Sequence, residues 1–326
     1  MYKAFYKLQK DPFEITPDPS FLFPTTRHNE ALATLYYGVT AHRGFVVLTG
    51  EVGTGKTLLL RSLLGLLQRR DTAFALIFNP SLSPLEFMRY IAGDFGLATA
   101  GKAKDELIHT LNQFLLQRYQ QGLTTLLVVD EAHHLSAEVL EEIRLLSNLE
   151  TSQQKLLQIV LAGQPELDHK LDSYELRQLK QRVALRCHLD CLNQAETGDY
   201  MRRRLSIAGA NGGGPIFDEG AIAAVYQHSK GIPRLINTIC QNALLAGYAK
   251  QQAKVRADII NGVARDLRLD VVARAGDEKN SDKNGEKNNG SAPAVAEEDN
   301  LLRAVKMLLE VRDRVHGTAD PKRRLQ

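Results

Sequence analysis

The chain is poor in cysteine: Cys187, Cys191 and Cys240 are the only three in 326 residues. An odd number this small excludes a disulfide framework and suits a reducing compartment. Cys187 and Cys191, with His188 between them, would make half of a metal site. No second ligand pair follows at a suitable spacing, so both read as ordinary strand cysteines. Long apolar runs are missing as well. No stretch of about eighteen uncharged apolar residues occurs, and Met1 to Lys7 contains no apolar signal core. Together these absences predict a cytoplasmic chain without a membrane span. Nor is there an excess of one charge: 41 basic residues against 38 acidic ones leave a net +3, which creates no global field for nucleic acid or anionic lipid. What the chain does have is length for two domains and a tail, with 44% apolar residues to fill an ordinary core.

The organising stretch is Gly50-Glu51-Val52-Gly53-Thr54-Gly55-Lys56-Thr57, which stands between the apolar run 44–49 and a leucine-rich helical pattern beginning at Leu58. Glycines let the backbone close around an anion without Cβ clashes, so that successive N–H groups converge on phosphate oxygens at a helix N-terminus. Gly50 to Leu58 is therefore the expected phosphate cradle. Lys56 supplies a point charge for the β- and γ-phosphates, and the Thr57 hydroxyl is a ligand for Mg²⁺.

Upstream, Pro12, Pro17 and Pro19 lie among Phe13, Ile15, Phe21 and Phe23, which predicts an extended segment held on a surface by its aromatics. A helix from Arg27 to about Ala41 leads into the first strand at Phe45. A second strand is expected over 72–78, and Ser83-Pro84-Leu85-Glu86 starts a helix by its capping signals. Another helix stops at Gly122. Leu126-Leu127-Val128-Val129 then runs into Asp130 and Glu131, the pattern of a strand buried on both faces that emerges at a catalytic edge. In such enzymes the aspartate holds Mg²⁺ through water and the glutamate polarises the attacking water. Asp130-Glu131-Ala132-His133 also spells a helicase motif, but the chain has no room for the second nucleotide fold such helicases require. His133 and His134 read as solvated or packing residues. A strand over 156–163 delivers Gln164, a single helix is expected over 166–180, and a last strand passes through Leu185 and Cys187. Alternating strands and helices across 44–190 give a parallel, helix-covered sheet. Beyond Gln194 four helices form a small α domain, with Gly231-Ile232-Pro233-Arg234 opening one of them.

With these motifs in view, the chain resembles the AAA+ ATPases, and within them the bacterial secretion-associated group named for general secretion pathway protein A. The motifs that carry the resemblance are Met1-Tyr2 to Phe13, Thr16-Pro17-Asp18-Pro19, the phosphate loop, Asp130-Glu131-Ala132-His133, Leu161 to Leu167 and Gly231 to Arg234. It covers roughly residues 1–270. The resemblance implies a P-loop NTPase of the α/β class: a parallel five-stranded sheet with helices on both faces, an all-α lid, and ATP with Mg²⁺ between core and lid. It implies assembly into a ring or filament. By position, Gln164 would sense the γ-phosphate, Arg234 would reach the nucleotide from the lid, and Arg182 would be the finger offered to a neighbouring subunit, with Arg177 as the alternative. Glu131, Lys56, Arg182 and Gln164 make up the catalytic set, and Thr57 and Asp130 the metal ligands.

The expected organisation is an N-terminal segment and helix over 1–43, a nucleotide-binding core over 44–192, a lid over 193–270, a disordered linker over 271–300, and a short amphipathic helix with a basic tail over 301–326. The linker is rich in Asp, Glu, Lys, Asn, Gly and Ser. The tail helix carries Leu301, Leu302, Val305, Leu308, Leu309 and Val315 on one side, which predicts docking on protein, with weak peripheral contact to an anionic membrane as the lesser use. Two functions compete. One is an ATP-driven switch or motor that assembles an envelope, secretion or pilus-like system through protein partners. The other is a DNA-binding ATPase of the transposition-regulator or initiator type, against which the near-neutral charge leans. Met201-Arg202-Arg203-Arg204, the one dense basic run, reads as a solvated helix face.

Overall fold

The computed structural model describes residues 1–15, 21, 23–68, 71–78, 82–210 and 214–269. The expected linker and tail helix, and Thr16 to Ser20 of the N-terminal motif, lie outside the described residues. The chain divides into two compact units: one comprises Thr26–Gly50 and Leu59–Leu189, and the other Met1–Thr25, Glu51–Leu58 and the segment from Asp190.

The first unit is built on a parallel sheet of β1 (Phe45–Gly50), β2 (Ala73–Ile77), β3 (Thr125–Val129), β4 (Gln158–Gly163) and β5 (Val183–Leu189), in the order β2-β3-β4-β1-β5. All its neighbouring pairs are parallel. Every residue of β1, β3 and β4 is buried, which explains their unbroken apolar sequences. Side chains alternate between two cores. Val46, Leu48, Leu126, Val128 and Val160 join α2 (Thr26–Thr40) and α3 (Lys56–Leu67) through Leu35, Val39, Leu59 and Leu63. Phe45, Val47, Leu127, Val129 and Leu161 face the opposite way. They pack with α4 (Pro84–Asp94), α5 (Lys104–Gln120) and α6 (Ala137–Leu146).

Helix α4 starts as its sequence dictates: the Ser83 hydroxyl accepts from the Glu86 N–H, the Glu86 carboxylate accepts from the Ser83 N–H, and Pro84 takes the first turn. The single helix expected over 166–180 is instead broken. It consists of α7 (Glu166–Leu171), a 3₁₀ turn (Tyr174–Leu176) and α8 (Arg177–Lys180). Its buried leucines are Leu167, Leu171, Leu176 and Leu179. The step from 171 to 176 is one residue too long for a continuous helical stripe, so the chain resets at Asp172-Ser173 to bury both halves.

The second unit holds α9 (Gln194–Ile207), α10 (Glu219–Ser229), α11 (Pro233–Ala249) and α12 (Ala257–Asp266), around Met201, Ile236, Ile239, Leu244 and Ile260. The N-terminal segment belongs to this core. It begins with a short helix, α1 (Tyr2–Phe5), that the sequence did not announce. Phe13 is fully buried, edge-on to Phe217 with ring centroids 5.9 Å apart, and Phe23 meets Tyr200 in the same way at 5.7 Å. Arg204 ties the segment down: Nε donates to the Pro12 carbonyl at 2.5 Å and the guanidinium to the Glu14 carbonyl at 3.1 Å, 4.5 Å over the Phe21 ring. Arg204 is thus buried, a correction to the solvated basic face expected for Arg202 to Arg204.

If the N-terminal segment is structural in this way, Phe13→Ala destabilises the helical unit by about 3–5 kcal/mol, the cost of emptying an aromatic core site. Chemical unfolding followed by helical circular dichroism measures it. A loss below about 1 kcal/mol would mean that the segment merely rests on the surface.

Candidate nucleotide site

Parallel strands place all their carboxyl ends on one edge of the sheet. From that edge β1 releases the loop over 51–55 that opens α3, β3 releases Asp130 and Glu131, and β4 releases Gln164.

The loop is wound tightly on the carbonyl of Glu51, which accepts from the Thr54 N–H at 3.3 Å, the Thr54 hydroxyl at 2.9 Å and the Lys56 ammonium at 3.0 Å. Thr54 and Lys56 are buried within it, and Val52 is exposed. Gly53 and Gly55 have φ of +82° and +104°, a region closed to most side chains. Gly53 has a second reason to lack a Cβ: one added there would lie 2.6 Å from Arg234 Cβ. Arg234 opens α11, and its backbone N–H, one of the donors a helix start leaves unsatisfied, bonds the Gly53 carbonyl at 3.2 Å. Lys230 and Gly231 make the turn that delivers it, both at positive φ. A Cβ on Gly231 would strike the Leu192 carbonyl oxygen at 1.8 Å. So Gly-Ile-Pro-Arg is a device that seats a helix start on the phosphate loop, and the Arg234 side chain is exposed there.

At the end of β3, Asp130 is buried and its N–H bonds the Ile77 carbonyl at 2.9 Å. Its carboxylate accepts from the Glu131 N–H, also at 2.9 Å. Glu131 sits in the left-handed region, φ 52° and ψ 35°, and caps a 3₁₀ turn over Ala132–His134. That turn folds back toward the end of β4, where the Gln164 N–H donates to His133 Nδ1 at 3.3 Å. His133 Nδ1 also lies 3.5 Å from a Glu131 carboxylate oxygen, and its side chain is 7% exposed. Of the two histidines expected to be solvated or packing residues, His134 is exposed and His133 is packed, its side chain buried and hydrogen-bonded to the Gln164 backbone. The spacing Asp130-x-x-His133 after a buried strand was the available signal.

The proposed finger stands elsewhere. Arg182 follows α8 and immediately precedes β5, so it occupies the amino edge of the sheet, across from Asp130, Glu131 and Gln164. It is half-buried, and its charge helps hold the Glu150 carboxyl low, after the larger effect of Lys155. Arg177 is exposed and stacked on the Tyr174 ring at 4.1 Å.

Taken by itself, the loop, with amides at a helix start, an ammonium and a hydroxyl, fits nucleoside phosphates, and the Asp130 carboxylate by itself fits a hard cation. Burial holds the nearby Cys191 thiol above its usual value, with the Glu51 charge adding to it, and burial alone pushes Cys187 up to about 12, so neither thiol is primed as a nucleophile.

A family model described as "AAA domain" matches residues 39–171. General secretion pathway protein A of Aeromonas hydrophila is 45% identical over 256 residues, which cover 78% of this chain. The chain spans 46%, about half, of that relative's length. The ATP-dependent target DNA activator B of Escherichia phage Mu is 27% identical over 69% of this chain and 67% of its own length. Among solved structures, the Aeropyrum pernix ORC2 protein superposes with a TM-score of 0.59 at 15% identity, over 79% of this chain and 71% of that one. That likeness is one of fold. Among the described residues, no helix is long and apolar enough to cross a membrane.

Gly53→Ala should be damaging on both counts given above. The expected result is a loss of nucleotide affinity together with destabilisation exceeding the ~1 kcal/mol that Gly→Ala exchange can give back through the unfolded chain. Titration calorimetry and thermal melting read the two effects. An alanine variant that binds and melts like the parent would contradict the contact with α11.

Proposed function

We propose that this chain, which belongs to the AAA+ ATPases related to General secretion pathway protein A, binds and hydrolyses ATP and uses the cycle to assemble or energise an envelope or secretion system through protein partners. The observation that carries the chemical part is the shared sheet edge: phosphate loop, carboxylate pair and strand-ending glutamine leave adjacent parallel strands on the same side. Lys56 and the loop amides bind the phosphates. Glu131 takes a proton from the attacking water, and Gln164 orients the terminal phosphate. Thr57 and Asp130 are the groups that would hold Mg²⁺, the aspartate through water. When bound, the ion neutralises charge on the phosphates. Arg234, at a helix start already seated on the loop, reports the nucleotide to the helical unit.

Arg182 gives the reading its oligomer. An arginine at the amino edge of the sheet is far from its own chain's carboxylates, which supports its use by a neighbouring subunit in a ring or filament. The secretion role rests on the relative named above, with action in the cytoplasm against envelope partners. The DNA reading draws on the phage Mu relative but gains little from the surface. Arg202 is paired with Asp199 at 2.9 Å and faces Glu219 at 3.6 Å, while Arg204 is spent on the N-terminal segment. Of the basic run, that leaves the exposed Arg203 to meet a phosphate backbone.

Lys56→Ala should weaken ATP binding, whereas Glu131→Gln should bind normally and turn over about a hundredfold more slowly or worse. Calorimetric titration beside a phosphate-release assay separates the two. Normal hydrolysis by Glu131→Gln would remove the base from this scheme.

Specific activity should rise with protein concentration as subunits assemble. Arg182→Ala should bind ATP yet stay slow, by roughly a hundredfold or more, at every concentration. Mixing it with Glu131→Gln subunits, which carry an intact finger, should restore part of the rate. Activity per subunit that never varies with concentration or mixing would rule out the trans arrangement.

A further inference from the structure

The least expected feature of the site is how His133 is held. Its imidazole is nearly buried, between two groups to which the scheme gives separate tasks. From β4 comes the backbone N–H of Gln164, 3.3 Å from Nδ1. From the preceding turn comes the Glu131 carboxylate, with Oε2 at 3.5 Å from the same nitrogen. An N–H donor must meet a lone pair, so the bond from Gln164 requires Nδ1 to be unprotonated and places the imidazole proton on Nε2. A nitrogen used in that way cannot also donate to Glu131. The carboxylate is held near the ring but not bonded to it, and Oε2 is a buried oxygen for which no hydrogen-bond donor is found among the described residues.

The surroundings fix the ring further. The His133 carbonyl accepts from Lys170 Nζ of α7 at 3.2 Å, and the same ammonium reaches the Leu135 carbonyl. The His134 ring lies against it, centroids 4.0 Å apart. Gly163, the last residue of β4, lets the turn approach: a Cβ there would come within 3.3 Å of the His133 backbone nitrogen and 3.0 Å of the Leu167 side chain. The turn is therefore locked to the strand that carries Gln164.

We propose that His133 is a positioning residue that makes the placement of the Glu131 carboxylate depend on the backbone at Gln164. While the Gln164 N–H occupies Nδ1, Glu131 keeps its acceptor oxygens for water. When the Gln164 segment, the segment that meets the terminal phosphate, shifts and its N–H leaves Nδ1, that nitrogen is released to carry the imidazole proton and donate to Oε2, which draws the carboxylate from water to the ring. One imidazole thus ties the sensing strand to the base. The inference rests on the assignment of Glu131 as base, and it deepens that site rather than adding another.

Three readouts on the full chain test it. In His133→Ala, kcat for ATP should fall by about tenfold to a hundredfold, the cost of a loosely placed catalytic group, with KM and nucleotide affinity within about twofold. His133→Asn should recover most of the rate, because its Oδ1 sits on Cγ where Nδ1 does and accepts from the same N–H. Nitrogen-15 resonances of the labelled imidazole, assigned by their absence in His133→Asn, should show an unprotonated Nδ1 at neutral pH, a measurement that needs no turnover. An asparagine variant no better than alanine would overturn the proposal, as would a proton on Nδ1. Full turnover by His133→Ala beside an inactive Glu131→Gln would sink this inference alone. Full turnover by Glu131→Gln would sink the base assignment and this inference with it.

Discussion

Strands that run parallel must be joined by crossovers, and the consequence is that every strand leaves the sheet on the same side. In this protein that constraint decides where chemistry can occur. β1 is held between β4 and β5, and β3 pairs with β4, so the exits of β1, β4 and β3 are consecutive along one edge. Each exit carries a group of a different kind: an amide-rich loop, a neutral side-chain amide, and two carboxylates. The same constraint exiles Arg182. A residue that enters β5 stands at the opposite edge, one strand length of about 20 Å away. No side chain spans that distance, so an arginine there acts on another subunit or not on nucleotide at all.

The strands were legible in the sequence because burial on both faces leaves a continuous apolar run, and Leu126 to Val129 can hardly be read otherwise. The phosphate loop was legible because positive φ demands glycine at particular spacings. What escaped were features decided by residues far apart. The destination of the N-terminal aromatics depends on Arg204 reaching Pro12, a contact between residues 192 apart in sequence. The break between α7 and α8 hides in a one-residue excess between Leu171 and Leu176. The His133 contact escaped because the Asp130-x-x-His133 spacing sets the residue just past a buried strand without telling whether its ring aims at solvent or folds back on β4.

Arg204 shows why counting charge along a sequence misleads. Three consecutive arginines look like a surface for polyanions, yet one of them is buried under an aromatic ring. A guanidinium is costly to desolvate, and here main-chain carbonyls, the Tyr200 hydroxyl at 2.8 Å and two ring faces offset the cost. Its charge serves cohesion of the helical unit. The unit that presents α11 to the phosphate loop is thereby tied to the first residues of the chain, and the phosphate loop itself belongs to that unit.

Among the described residues that follow a strand end, Glu131 is the non-glycine in the left-handed region. At φ 52° a glutamate gives up about 1–2 kcal/mol that glycine would not. Local bonds hold it there: its N–H on Asp130, its carbonyl accepting from the His134 N–H at 3.0 Å, and the turn beyond pinned by Lys170. Glycine at this position would fold more easily but would bring no carboxylate. The strain is thus the cost of turning the chain sharply off a buried strand while keeping an acid at the turn. Because the turn is sharp, His133 comes back beside β4, so the conformation that strains Glu131 is also the one that places its neighbour against Gln164. Backbone strain, carboxylate and histidine contact thus share one short turn.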